Sequence, residues 1–287
     1  MSKVIRLAHS PDSDDAFMFH ALANGKIAQG EYEFIHELHD IETLNQAAFE
    51  GKYEVSAISF HAYCHLADRY AILPHGASFG ENYGPVIISR EPMTPEALKD
   101  VEIAIPGLLT TAYLTLRLYL GGEEPKHRVV HFDQIMDEVK KGASPAGLLI
   151  HEGQLTYAQH GLTNTLDLGE WWLFETGLPL PLGVNVARRD LGEAVLNELS
   201  GVLRESIERG LSSREPALKY ALQFGRGLDH GLADRFVGMY VNRLTQDYGD
   251  EGRQAVQELL RRGETVGAFP HAVNVEFVGE SAAQNPR

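Results

Sequence analysis

Up to about residue 187, short apolar runs alternate with stretches whose apolar side chains recur at helical spacing; beyond that point only the helical spacing continues. This alternation predicts an α/β chain, because strands buried on both faces read as apolar runs and the helices covering them as amphipathic stretches. Residues 4–9 form the first predicted strand. Ser10-Pro11-Asp12-Ser13-Asp14-Asp15 breaks it and opens a helix near Ala16, with Ser13 or Asp14 as N-cap, that runs through Phe17, Phe19 and Leu22 to a stop near Gly25. Residues 32–35 alternate polar and apolar side chains, and Asp40 caps a short helix ending at Gly51. Residues 54–59 then form a strand that stops on a hydroxyl, and a helix is predicted from Phe60 to Tyr70.

After a glycine-rich loop and a strand over 85–89, the same order begins again. Residues 101–105 form a strand, Pro106-Gly107 a turn, and Thr110-Thr111 opens a helix to about Leu120. Residues 129–132 are extended, Asp133 caps a helix over 134–140, Gly142 ends it, and the apolar strand 146–150 stops at His151. In that repeat, Ser59 and His151 take equivalent places. The pattern predicts two similar α/β lobes around a central cleft, one made of 1–86 plus 188–287 and the other of 87–187, with the strands 85–89 and 184–187 as crossings. Helices over 192–209, 216–224, 233–244 and 249–262 are expected to pack mainly on the first lobe, leaving a frayed tail over 281–287.

Composition narrows the function classes. The 287 residues are 44% hydrophobic and 23% charged, as in an ordinary globular protein, and 25 basic against 40 acidic side chains leave a formal charge of -15. Nucleic acid and anionic membrane would be approached against that field, so neither is expected as a partner. A small anionic substrate remains compatible, since backbone donors aimed at one point hold a carboxylate locally. Cys64 is the only cysteine, which excludes an intrachain disulfide and a cysteine-based zinc site. No apolar run approaches the ~20 residues of a membrane span. The N-terminus enters a strand without the apolar core of a secretory signal, so a cytoplasmic location is expected. A homodimer is compatible with the chain.

His151, one step past an apolar strand, is the leading candidate for chemistry, because ligands of open α/β sheets gather at the carboxyl ends of strands; set against that is a hydrogen-bonded surface or helix-capping histidine. Thr110 and Thr111 open a helix whose free N–H groups suit a carboxylate, although a threonine there also serves simply as an N-cap. Ser59 stands at a similar turn. Asp12, Asp14 and Asp15 invite a metal reading, which the absence of a phosphate-binding glycine loop weakens. His61 and His65, four apart, lack a His-Glu-x-x-His pattern, and His36 and His39 are no better. No metal site is expected. Trp171 and Trp172 form either an aromatic wall for a planar ligand or a plug, and the chain lacks the Gly-x-Ser-x-Gly of a serine nucleophile.

Ser10-Pro11-Asp12-Ser13-Asp14-Asp15-Ala16-Phe17-Met18-Phe19, Pro106-Gly107-Leu108-Leu109-Thr110-Thr111-Ala112-Tyr113, Leu149-Ile150-His151-Glu152, Thr176-Gly177-Leu178-Pro179-Leu180-Pro181-Leu182-Gly183 and Ala187-Arg188-Arg189-Asp190-Leu191-Gly192, in that order, resemble the 1,4-dihydroxy-6-naphthoate synthase family. The resemblance implies a type II periplasmic-binding-protein-like fold. It also implies a lyase of the futalosine route to menaquinone, which converts cyclic dehypoxanthinylfutalosine to 1,4-dihydroxy-6-naphthoate and dihydroxyacetone without metal or organic cofactor. Through it the catalytic histidine falls on His151. The substrate-binding positions fall on Ala57, Ile58 and Ser59 and on Thr110 and Thr111, with Asn45 nearby. Two rival readings are the related chorismate dehydratase and a non-catalytic small-carboxylate-binding protein.

Overall fold

The computed structural model describes residues 2–224 and 228–279, so the tail expected to fray lies outside the described residues. Strand β1 (Lys3–His9) leads into helix α1 (Ser13–Ala23), whose residues from Asp15 to Leu22 are all buried. A helix apolar on every side belongs inside a domain, and α1 lies among α8 (Glu193–Ser212), α9 (Arg214–Ala221) and α10 (His230–Tyr240), the long helices that follow the second crossing. Its N-cap is Asp12 rather than Ser13 or Asp14, and the Asp12 side chain makes no capping bond.

Strand β2 (Tyr32–Leu38) is followed by α2 (Ile41–Phe49), where Asp40 accepts from the Glu42 and Thr43 amides as the sequence predicts. Strand β3 (Val55–Ser59) is buried throughout, but the helix after it is a single turn, α3 (Phe60–Tyr63). Tight i+3 bonds from His65 and Leu66 end it, and Tyr70 passes into the edge strand β4 (Tyr70–Ile72), opposite Arg188. Sheet pairing overrides the local helical pattern here.

Beyond β5 (Ser78–Gly80) and β6 (Val86–Ser89) come β7 (Ile103–Ile105), α4 (Thr111–Tyr119), β8 (His127–Val129), α5 (Ile135–Lys141) and β9 (Ala146–Leu149). Asp133 does not cap α5: its carboxylate takes the His131 ring at 2.6 Å, and a 3-10 turn over Phe132–Gln134 leads into the helix. Gly142 ends α5 in the left-handed conformation, at φ 75°. The chain continues through α6 (Gly153–Thr156), β10 (Thr163–Asp167), α7 (Leu168–Thr176) and β11 (Leu180–Arg188). Both tryptophans lie on α7; Trp172 is fully buried with its indole N–H on the Pro179 carbonyl at 3.2 Å, and Trp171 meets Tyr119 edge-on.

The two sheets share one plan. In the first, β2, β1 and β3 are parallel neighbours, β11 runs antiparallel to β3, and β4 antiparallel to β11. In the second, β8, β7 and β9 are parallel, β6 is antiparallel to β9, and β10 to β6. The registers also match: Leu7 pairs with His36 and Val55, and Ile103 with His127 and Ala146. One spacing therefore carries His36 onto His127, Gly51 onto Gly142 and Val55 onto Ala146. It places Ser59 on Ile150 and Phe60 on His151, one residue away from the equivalence of Ser59 and His151 that the repeat suggests. In a strand, one residue is the difference between opposite faces.

The chain divides into two compact units: Met1–Ser78 with Gly183–Gly249 and Val273–Arg287, and Phe79–Leu182 with Asp250–Ala272. The divisions fall within β5 and β11, whereas the sequence suggests 86/87 and 187/188. Helices α8, α9, α10 and the short α11 (Arg243–Gln246) belong to the first unit. The last helix, α12 (Gly249–Thr265), differs, since from Asp250 onward it belongs to the second unit. Its apolar stripe (Ala255, Val256, Leu259, Leu260) is buried, and the Arg262 guanidinium lies 5.4 Å from the Trp172 ring. In the second unit α12 meets α4 and α7: a Cβ at Gly263 would lie 3.6 Å from Leu114, and the Arg262 guanidinium donates to the Glu175 carbonyl at 3.4 Å. No described helix is long and apolar enough to cross a membrane.

Candidate active site

His151 stands two residues beyond the end of β9 and is 7% exposed. Its Nδ1 accepts the Gly153 N–H at 2.8 Å, so the proton sits on Nε2, which donates to the Phe132 carbonyl at 3.1 Å. An acceptor on one side and a donor on the other fix a neutral tautomer. The Phe132 ring meets the imidazole edge-to-face at 5.1 Å. The second unit thus holds one oriented imidazole against the turn that opens α5.

In the same unit, Thr110 is the N-cap of α4. Its Oγ1 accepts the Tyr113 N–H at 3.2 Å and donates to the Gly107 carbonyl at 2.9 Å. The Thr111 hydroxyl donates to the Leu182 carbonyl at 2.6 Å. Both threonines are about 2% exposed. Their hydroxyls brace the turn, which stands at the positive end of a nine-residue helix.

In the first unit, Ser59 ends β3 and caps α3. The fully buried Asn45, from α2, accepts the Ser59 N–H and donates to its Oγ. Ala57 and Ile58 pair with Asn185 and Val184 of β11. Ile58 is wholly buried, so its side chain belongs to the core, while Ala57 packs with Ala8, Leu44 and Tyr53.

Beside β3, the end of β1 carries a cluster that the sequence reading did not assemble. The His9 Nδ1–H donates to the Ser10 carbonyl at 2.9 Å, so Nε2 is the acceptor for the His36 Nδ1–H at 3.3 Å. The Ser10 N–H donates to Asp15 Oδ2 at 2.7 Å, and the Asp12 N–H to the Ser10 hydroxyl at 3.2 Å. Phe19 stacks on His9 at 4.5 Å. Burial pushes His9 down to about 3, with His36 adding to the effect, and burial also lowers His36. Burial raises Asp15 to about 6 against the opposing bonds from Ser10. The signal in the sequence was slight: a histidine at a strand end and an aspartate three residues into a helix approach.

Asp15 is thus committed to Ser10, and among the described residues no three His, Cys, Asp or Glu side chains stand together as a metal site. His61 and His65 lie with ring centroids 5.9 Å apart on one short helix and the turn after it.

Two sheets of one topology, each flanked by helices, with polar corners where their strands end, define the fold class of the periplasmic binding proteins. The alkanesulfonate-binding protein SsuA of Xanthomonas axonopodis pv. citri, solved bound to MOPS, shares it at a TM-score of 0.71 and 12% identity, over 95% of this chain and 96% of that one. The chain belongs to the menaquinone biosynthesis family, whose model matches residues 5–265. It is 39% identical over 265 residues to the 1,4-dihydroxy-6-naphthoate synthase of Thermus thermophilus, covering 92% of this chain and 96% of that protein. The crystal structure of protein AF1704 from Archaeoglobus fulgidus superposes with a TM-score of 0.87 at 45% identity, over 93% of this chain and 98% of that one.

Proposed function

We propose that this chain is a 1,4-dihydroxy-6-naphthoate synthase, a carbon–carbon lyase that converts cyclic dehypoxanthinylfutalosine to 1,4-dihydroxy-6-naphthoate and dihydroxyacetone. The observation that carries the reading is His151: a buried, neutral imidazole held in one tautomer just past a strand end, in a chain of the menaquinone biosynthesis family. A fragmentation that releases a three-carbon sugar unit begins with removal of a proton, and the driving force is formation of the aromatic ring. Neutral imidazole supplies the base without a redox partner. Nδ1 carries the lone pair, so Nδ1 is the atom that takes the proton.

The first turn of α4, in the same unit as His151, supplies donors for the anionic group of the substrate. Main-chain N–H groups at Thr111 and Ala112 are preorganised by the Thr110 cap, and Asn45 holds Ser59 in place. SsuA shows that this fold accommodates a small organic anion in another protein.

The test is to incubate the protein separately with cyclic dehypoxanthinylfutalosine and with chorismate. Dihydroxyacetone is expected from the first alone, with chorismate unchanged. His151→Ala is expected to lower kcat by about 10²–10⁴-fold, the usual share of a general base. Wild-type turnover in that variant would remove the assignment, and dehydration of chorismate would replace it.

A further inference from the structure

The lone pair assigned to the chemistry is already engaged. Nδ1 of His151 faces the Gly153 N–H at 2.8 Å, and Nε2–H faces the Phe132 carbonyl at 3.1 Å. In this pose neither ring nitrogen can accept a proton from a substrate, because one lone pair is bonded and the other nitrogen already bears hydrogen. Turnover by this base requires the bond to Gly153 to open.

What permits the pose is the missing side chain at 153. A Cβ there would lie 2.7 Å from His151 Cε1, 3.1 Å from Nδ1 and 3.2 Å from the Met136 terminal methyl. The first of these is closer than packed carbons come, so the ring would have to move, and the other two are tighter than most. Gly153 is not among the glycines at positive φ, so space rather than backbone torsion is what calls for glycine. Met136 lies on α5 and Phe132 on the turn before it, so the pocket that receives the folded-back ring is built from one local segment.

We propose that Gly153 is a positioning residue that holds His151 in a resting rotamer, and that opening of the Gly153 N–H to Nδ1 bond is a step of each turnover. The inference rests on the reading of His151 as the base. A lock of this kind keeps the base neutral and its tautomer defined while no substrate is bound, and reduces kcat by the fraction of time the ring spends folded back.

The experiment has a structural and a kinetic arm. In the ligand-free, ¹⁵N-labelled protein, a coupling across the hydrogen bond between the residue 153 amide nitrogen and His151 Nδ1 is expected. It should vanish on saturation with 1,4-dihydroxy-6-naphthoate. Gly153→Ala is expected to abolish the coupling without ligand and to raise kcat by up to about five-fold, the factor that one ordinary hydrogen bond represents, with KM changed less than two-fold. A coupling that persists in the product complex overturns the lock even where the variant does not fold. So does a folded Gly153→Ala protein with the coupling intact, or one with the bond open and kcat unchanged or lower. A His151→Ala protein of undiminished activity overturns the base assignment instead, so the two failures are distinct.

Discussion

Asn45 and Ser59 are joined twice: Asn45 Oδ1 accepts the Ser59 N–H at 2.8 Å, and Asn45 Nδ2 donates to Ser59 Oγ at 3.1 Å. One fully buried amide therefore sets both the main chain and the hydroxyl of the corner where β3 ends. The side chain that supplies it comes from α2, which Asp40 caps, so the geometry of the corner depends on a helix start five residues upstream of Asn45. Asn45 positions Ser59.

Removing that brace separates fold from binding. Asn45→Ala leaves the Ser59 N–H buried without its acceptor, and a loss of about 1–3 kcal/mol in urea-induced unfolding is expected. Ser59→Ala keeps the main-chain bond and is expected to cost less than half as much. If the corner holds substrate, both raise KM, by about ten-fold for Asn45→Ala. An Asn45→Ala protein of wild-type stability would show that the double bond is not formed in solution.

Thr110 is tested by its smallest changes. Thr110→Ala deletes the acceptor for the Tyr113 N–H and the donor to Gly107, and about 1 kcal/mol of stability is expected to go with it. Thr110→Ser restores both bonds and is expected to recover most of the loss. If the two variants unfold at the same denaturant concentration, the cap contributes nothing.

The repeat of strand, capped helix and strand was legible because each element depends on local signals: Asp40 before α2, Gly51 and Gly142 after α2 and α5, and the apolar runs of β3 and β9. The match of Ser59 with His151 was not, because element order leaves an uncertainty of one residue that only strand register removes. The early end of α3 was hidden for a related reason. Its sequence is helical in pattern, and the competing partner, β11, lies more than a hundred positions further on. His36 comes from β2, so only the folded sheet brings it to His9 and completes the cluster around Ser10. The bond from Gly153 to His151 spans two residues, yet no pattern of residue types announces it.

Glycines separate space from torsion. A Cβ at Gly169 would overlap the Tyr83 carbonyl oxygen, and one at Gly84 would sit 2.8 Å from the Gly169 nitrogen, so two main chains touch where β10 turns into α7. Gly169→Ala is expected to destabilise by about 3 kcal/mol or more, or to fail to accumulate folded. Gly201, inside α8 with open space around its Cβ, is the opposite case: Gly201→Ala is expected to stabilise by about 0.5–1 kcal/mol. Thermal unfolding of the two variants side by side checks both signs.

Ser10 is clamped between two groups whose titrations pull stability in opposite directions. His9 falls from 6.5 to about 3 in the folded chain, so its contribution is complete above 6.5 and is lost as the pH drops below that value, when the unfolded chain takes up the proton first. His36, also lowered by burial, acts with the same sign. Asp15 rises from 3.8 to about 6, so its contribution is complete below 3.8 and is lost as the pH rises through 6. Between about pH 4 and 6 the two slopes oppose each other, and the wild-type protein changes little through their joint action. Each single variant exposes the other group. His9→Gln keeps a donor for the Ser10 carbonyl without a titrating ring, and is expected to be about 1–2 kcal/mol more stable at pH 5 than at pH 7, relative to wild type. Asp15→Asn keeps an acceptor for the Ser10 N–H without a charge, and is expected to shift by a similar amount the other way, losing stability on acidification. Urea melts at pH 5 and pH 7 on the three proteins decide it, and parallel pH profiles for all three would mean that neither group is buried as described.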